Sequence, residues 1–333
     1  MNTQPSKPTI SVVVPCYQEE AVFPILLDRL LSVLNGSGRS FELIFVNDGS
    51  SDGTWGLIMQ ACESNPEVAG IDLSRNYGHQ IALTAGLQYC TGERIFVIDA
   101  DLQDPPELFY EMDKVMTASC ADVVYGKRIS REGESWFKVW TATGFYKTLS
   151  WLSDVHIPRD TGDFRLMSRK ALDAFLSMTE KNRFVRGMVS WVGFRQVAFE
   201  YVREKRLAGS TRYTLQKMVR LALDAITSFS VKPLRLATYV GLAIATCSVL
   251  GILYVILMVV SGRWETVKGW PSIVVVMLLL SSIQLIVVGI TGEYVGRIFI
   301  EVKGRPLFFA QNIVHRRLNL RDGADTGKPL PRS

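Results

Sequence analysis

The chain has 333 residues, a formal net charge of +5, a hydrophobic share of 48% and a positive mean hydropathy. That apolar share exceeds what a soluble protein of this length needs, and the basic residues crowd around the most apolar segments, which favours an anionic membrane surface over nucleic acid as a partner. The five cysteines show no paired spacing and read as reduced thiols, and the polar residues 1–8 lack the apolar core of a cleaved signal peptide, so they read as a flexible N-terminus.

From residue 9 onward, short β-branched runs alternate with longer amphipathic stretches, the pattern of a mostly parallel sheet flanked by helices. Strands are expected at 10–14, 41–46, 68–73, 94–98 and 122–125, with helices at 21–34, 54–63, 80–89 and 107–118, where apolar residues recur at three and four. Residues 127–164 lose this rhythm and read as loops and short helices over one sheet edge. A helix is expected at 166–176 and a late strand at 196–203. An α/β domain over 9–214 follows from these elements.

Residues 215–234 form an amphipathic segment suited to the interfacial plane, with Lys217, Arg220 and Asp224 opposite an apolar face. Two uncharged runs, 236–261 and 272–292, would reach ~39 Å and ~31 Å as helices, against a hydrocarbon core of ~30 Å. They predict a transmembrane hairpin over 235–300, followed by a basic tail at 301–333 whose end, from residue 321, reads as disordered. Lys217, Arg220, Lys232 and Arg235 precede the first run, and Arg297, Lys303, Arg305, Arg316 and Arg317 follow the second. This charge bias places the α/β domain and both termini on the cytoplasmic side of the inner (plasma) membrane. Gly292 and Gly296 make a small-residue pair suited to helix packing in a homo-oligomer.

In an open parallel sheet, ligands gather outside the carboxyl ends of the strands. The first strand leads to Pro15, Tyr17 and Glu19, the second to Asn47 and Asp48, and the fourth to Asp99, Asp101, Gln103 and Asp104. If the last segment stays extended, Asp99, Asp101 and Gln103 share one face while Ala100 and Leu102 face away. Three oxygens converging on one point suit Mg²⁺ or Mn²⁺, which takes one or two carboxylates and completes its shell with water and phosphate oxygens. A bare Asp-x-Asp is common, and Asp104 alone would account for an acidic turn capping a helix near Pro105 and Pro106. The position straight after a buried strand favours the metal. No dinucleotide fingerprint, P-loop or nucleophile elbow is present, and His79, His156 and His315 are too scattered for zinc or a triad. His79 reads equally as a phosphate donor or as a surface histidine opening a helix.

Four runs resemble the inverting GT-A glycosyltransferases: Val-Val-Val-Pro-Cys-Tyr-Gln-Glu-Glu (12–20), Val-Asn-Asp-Gly-Ser-Ser-Asp-Gly-Thr (46–54), Leu-Ser-Arg-Asn-Tyr-Gly-His (73–79) and Asp-Ala-Asp-Leu-Gln-Asp-Pro-Pro-Glu (99–107). Later runs at 126–128, 131–135, 161–167 and 206–213 look like polyprenyl-phosphate glycosyltransferases related to dolichyl-phosphate mannose synthase and the bacterial bactoprenol glucosyltransferases. The resemblance implies that Pro15, Tyr17, Glu19, Asp48, Arg75, Asn76 and Asp99 hold the nucleotide. It assigns Asp99, Asp101 and Gln103 to the metal and diphosphate, and gives Asp163 and Asp101 catalytic roles. Arg128, Arg131, Lys138 and Arg206 are its candidates for the acceptor phosphate, although Lys127, Arg128, Arg131 and Lys138 also read as a solvated or headgroup-facing surface. His79 stands where Lys is frequent, and Thr211-Arg212 replaces a frequent Ser-Lys.

The implied reaction moves one sugar from a nucleotide-diphosphate donor, with UDP-glucose as the best match, onto undecaprenyl or another polyprenyl phosphate. GDP-mannose or an aminosugar donor fits the same frame. A processive polysaccharide synthase fits less well, since the Gln-x-x-Arg-Trp signature is missing and two spans do not enclose a polymer channel. A non-catalytic scaffold fits poorly with intact Asp99, Asp101 and Asp163.

Overall fold

The computed structural model describes residues 8–129, 161–203, 232–261 and 270–314. Two compact units emerge, one from the described parts of 1–213 together with 305–314, the other from the described parts of 214–304.

The first unit is an eight-stranded mixed sheet. Its strands are β1 (Ile10–Cys16), β2 (Phe41–Asn47), β3 (Val68–Leu73), β4 (Arg94–Val97), β5 (Val123–Arg128), β6 (Thr161–Ser168), β7 (Gln196–Tyr201) and β8 (Ala310–Val314), in the order β7-β5-β6-β4-β1-β2-β3-β8. The block β4-β1-β2-β3 is parallel, and every residue of β1, β2 and β3 is buried, as expected for strands covered on both faces. On one face, α1 (Phe23–Gly36), α2 (Thr54–Ser64) and α4 (Phe109–Ala118) close a core around Val12, Val14, Phe45 and Phe96. Phe96 meets Phe109 and Phe164 edge-on, each with centroids 5.3 Å apart, pairs worth ~0.5–1.5 kcal/mol beyond their buried area. On the other face lies α3 (His79–Tyr89). Its Gly86 allows close approach, because a Cβ there would collide with Val13. The helices α5 (Arg169–Ser177) and α6 (Val185–Val192) follow β6.

The strand and helix expectations up to residue 118 agree with the structure to within two residues at each boundary, and a 3₁₀ turn at Pro106–Leu108 delays the start of α4. Beyond that point three differences appear. Lys127 and Arg128 belong to β5, and Thr161–Ser168 is a strand inserted antiparallel between β4 and β5, so the stretch 127–164 is not wholly loop and helix. Residues 166–168 lie in that strand, and the helix begins only at Arg169, where the Ser168 hydroxyl caps it by accepting from the Ala171 amide at 3.2 Å. The cause is burial on both faces, since Phe164, Leu166 and Met167 are all enclosed and so show no alternation to read. Third, residues 310–314 form β8, which pairs antiparallel with β3.

The second unit holds α7 (Lys232–Val260) and α8 (Trp270–Val302). Both are long and apolar enough to cross a membrane, over Leu234–Gly251 and Leu279–Val302, and described side chains such as Leu242, Leu250, Leu285 and Ile286 are exposed. The second helix continues past the expected end at 292, as Arg297 and Glu293 pair along it at 3.1 Å. The segment 215–231 and the tail beyond 314 lie outside the described residues. All five cysteines are free thiols.

Candidate active site at the carboxyl edge of the sheet

The parallel register aligns the ends of β1, β2 and β3, with Cys16 opposite Asn47 and Asn47 opposite Asp72. The loops that follow interlock. Asp48 is buried, and its two carboxylate oxygens accept the amides of Tyr77 and Gly78 at 2.7 and 2.9 Å. Burial raises its pKa, and those two amide bonds oppose the rise. Gly49 adopts φ +65°, and a Cβ there would lie 2.5 Å from the backbone at Arg75 and Asn76, so the loop after β2 presses directly on the loop after β3. Arg75 and Asn76 are exposed on that second loop, the Arg75 guanidinium stacking 4.1 Å from the Tyr77 ring centre.

After β1, Gln18 takes a left-handed φ of 57°, its amide donating to Ser50 and its side chain to Ser51, at 3.0 and 3.2 Å. Pro15 is buried, Tyr17 is 44% exposed, and the Glu19 amide donates to Thr54 Oγ1 at 3.0 Å.

The acidic segment does not stay extended. The strand ends at Val97 and the chain turns, with Leu102 at φ 54° and the Gln103 amide donating to Asp101 Oδ1 at 3.1 Å. Alternation in burial survives nonetheless: Ala100 and Leu102 are buried, while Asp99, Asp101 and Gln103 are partly accessible. A left-handed leucine costs about 1–2 kcal/mol, strain of the sort that collects at functional sites. Asp104 is not a helix cap. It is 0% exposed, accepting from the Tyr201 hydroxyl at 2.5 Å and from Arg203 Nε at 3.3 Å, with Arg128 Nη2 at 3.7 Å. Arg203 Nη2 also lies 3.6 Å from Asp101 Oδ2.

The strands β4 and β6 run antiparallel with Val97 opposite Arg165, so Asp163 lies at the end of β4 from which the segment carrying Asp99 leaves. Asp163 is 1% exposed, yet its carboxylate is held well below the usual range. Burial works against the charge, and Arg186, the His79 hydrogen bond and Arg165 outweigh it. Its donors are His79 Nε2 at 3.1 Å, Gln80 Nε2 at 2.9 Å, Arg186 Nε and Nη2 at 3.1 and 3.3 Å, and Arg165 Nη2 at 3.5 Å. Asp99 moves the other way, raised by burial and by neighbouring Asp163, Asp104 and Asp101, though His79 partly offsets this. His79 Nε2 sits 3.5 Å from Asp99 Oδ1 without a hydrogen bond, and that oxygen is buried with no hydrogen-bond partner. The imidazole is disfavoured as a cation by burial, but Asp163 and Asp99 win and lift its pKa to about 9.

An orphaned, buried carboxylate oxygen crowded by three other aspartates is what a hard cation relieves. Among the described residues no group of three or more His, Cys, Asp or Glu side chains is placed to hold a metal ion, so a cation here would have to draw most of its oxygens from water and phosphate. Thus Asp99, Asp101, Gln103, Asp163 and Arg128 gather at one edge, Asp48, Arg75 and Asn76 build the adjoining loops, and Arg131, Lys138 and Arg206 lie outside the described residues. Lys127 pairs with Glu200 at 2.7 Å on the exposed side of β5. Gln80, Arg165, Arg186, Tyr201 and Arg203 were not expected here. Arg165 was open to detection, lying two residues from Asp163 on one strand face, whereas Arg186 has no spacing that points to it.

The family model described as glycosyl transferase family 2 matches residues 11–176. The chain is 49% identical over 301 residues to the uncharacterized glycosyltransferase YkcC of Bacillus subtilis, covering 90% of this chain and 93% of that protein. It is 39% identical over 305 residues to the prophage bactoprenol glucosyl transferase homolog of Escherichia coli, covering 91% and 99%. Against the bactoprenol glucosyl transferase of Shigella phage SfII it is 40% identical over 300 residues, covering 90% and 96%.

Proposed function

This chain belongs to glycosyl transferase family 2 and is a glycosyltransferase with a GT-A-like mixed sheet, and on that premise we propose that it transfers one glucose from UDP-glucose to a polyprenyl phosphate. The observation that carries the reading is the Asp99 oxygen, buried without a hydrogen bond at the carboxyl edge where a nucleotide diphosphate would bring its cation. The choice of glucose and of a polyprenyl acceptor is supported by the names of the relatives, and the two long apolar helices suit an enzyme whose acceptor is a lipid.

Asp99, Asp101 and Gln103 would hold Mg²⁺ or Mn²⁺. When bound, the ion supplies positive charge that steadies the departing diphosphate. Pro15, Tyr17, Glu19, Asp48, Arg75 and Asn76 would receive the nucleotide, with Asp48 shaping the loop that carries Arg75. A phosphate monoester with a second pKa of ~6 is already largely dianionic at neutral pH, so the acceptor needs little help losing a proton. Asp163, its oxygens occupied by donors, therefore orients groups around the reacting centre. Arg128 lies at the same edge, and with Arg131, Lys138 and Arg206 it would bring the second anion close. A single in-line attack inverts the anomeric carbon. On this reading the catalytic domain and both termini face the cytoplasm.

The test offers the purified chain polyprenyl phosphate, Mg²⁺ or Mn²⁺ and a panel of labelled nucleotide sugars. Label should enter the organic phase from UDP-glucose. Label entering only from another donor would replace the sugar, and label entering from none would remove the reading.

A further inference from the structure

Asp163 is fastened from two sides. His79 and Gln80 reach it from the start of α3, and Arg186 reaches it from the first turn of α6. Arg186 is the donor with a two-point grip, Nε on Oδ1 and Nη2 on Oδ2 at 3.1 and 3.3 Å, a fork that fixes the plane of the carboxylate. Arg165 stands 3.5 Å off, and its guanidinium also donates to the backbone oxygens of Gly162 and Asp163. Gln80 joins the two helices: its Nε2 donates to Asp163 Oδ2, and its Oε1 accepts the amide of Val185, the neighbour of Arg186, at 2.8 Å. The beneficiary is His79, which Asp163 holds 3.1 Å away while the ring faces the buried oxygen of Asp99 at 3.5 Å, beyond a hydrogen bond.

We infer that Arg186 is a positioning residue for sugar transfer, fixing the plane of Asp163 so that His79 is held against the Asp99 rim of the diphosphate site. This rests on the proposed glycosyl transfer. Nothing in the arrangement requires Arg186 to touch the donor, so its loss should slow turnover more than it weakens donor binding. A purely structural ion pair would behave otherwise: melting would suffer, and the protein that stayed folded would turn over normally.

The test uses the full chain in detergent with UDP-glucose, Mg²⁺ and polyprenyl phosphate, comparing wild type, Arg186→Ala and Arg186→Lys. Misplacing a group by about 1 Å costs on the order of 100-fold, so Arg186→Ala should lose roughly that much kcat with donor KM changed less than about threefold. Free guanidinium at sub-denaturing concentration should restore part of the loss by filling the vacated site. Arg186→Lys keeps the charge and loses the fork, so it should melt like wild type and turn over roughly tenfold slower. It also serves if the alanine variant does not fold. Wild-type speed in Arg186→Lys, or a loss in Arg186→Ala that follows donor KM and ignores guanidinium, would overturn the inference alone. An inert wild-type chain would overturn the functional reading and this inference with it.

Discussion

Glu42 and Asp99 sit at opposite ends of one sheet, and the chain treats them differently. At the amino-terminal end, Glu42 is enclosed by donors: the Ser11 hydroxyl at 2.5 Å, the Thr91 amide at 2.5 Å and the Thr91 hydroxyl at 3.1 Å, with the Gly92 amide completing the set by donating to Ser11 at 2.7 Å. At the carboxyl end, Asp99 shares a crowded rim with three other aspartates, one of its oxygens lacks a hydrogen bond, and two non-glycine residues of the loops at that end, Gln18 and Leu102, hold left-handed backbone. An unsatisfied buried acceptor costs on the order of 1–3 kcal/mol. The contrast sets a carboxylate closed by its own donors against one whose open oxygen suits the proposed outside partner.

The largest effect that sharpens this contrast is expected from Asp99→Asn. Transfer should fall by roughly 100- to 1,000-fold as metal and diphosphate stabilisation is lost. Stability of the metal-free protein should move the opposite way. Burial and nearby carboxylates raise the folded-state pKa of Asp99 above its unfolded value of ~3.9, so the protonated form suits the folded state and the ionised form strains it. The strain is absent below the unfolded value and grows as pH climbs through the folded one. The variant should therefore melt higher than wild type near pH 7, and the gain should vanish in acid. A variant that melts lower at neutral pH would mean that Asp99 is a structural residue like Glu42.

Glu42→Ala should reverse the pattern. It strands the Ser11 and Thr91 donors and should cost about 1–3 kcal/mol in denaturant melting, while turnover per folded molecule stays near wild type. A smaller effect is expected at β8. Asn312 donates to Asp72 at 3.3 Å, and Asp72 also accepts from Asn47 at 2.8 Å, just ahead of Asp48. Asn312→Ala should cost about 0.5–1.5 kcal/mol, with only a slight change in donor KM.

The parallel half of the sheet was legible because its strands are short apolar runs bounded by turn residues, and the acidic rim was legible because it follows one of them directly. The strand β6 was not, since a segment buried on both faces carries no period by which to tell strand from helix. Nor was β8: five residues, Ala-Gln-Asn-Ile-Val, pair with a strand 240 positions earlier, across the whole apolar hairpin, and no local pattern records that. At the site, Asp99, Asp101 and Gln103 could be named for their spacing, although the turn at Leu102 shows that the extended geometry behind that reasoning does not hold. The role of Asp104 was not legible, because its partners, Tyr201 and Arg203, lie nearly a hundred residues away. Arg186 was silent for the same reason, 23 positions from Asp163 and on a different element.

Calorimetric titration of UDP-glucose into wild-type and Asp101→Asn protein, with and without Mn²⁺, addresses the carboxyl rim most directly. Wild type should bind the nucleotide sugar far more tightly when Mn²⁺ is present, and Asp101→Asn should lose that enhancement while melting normally. Binding that is indifferent to Mn²⁺ in wild type, or an enhancement preserved in Asp101→Asn, would contradict a cation held at this edge of the sheet.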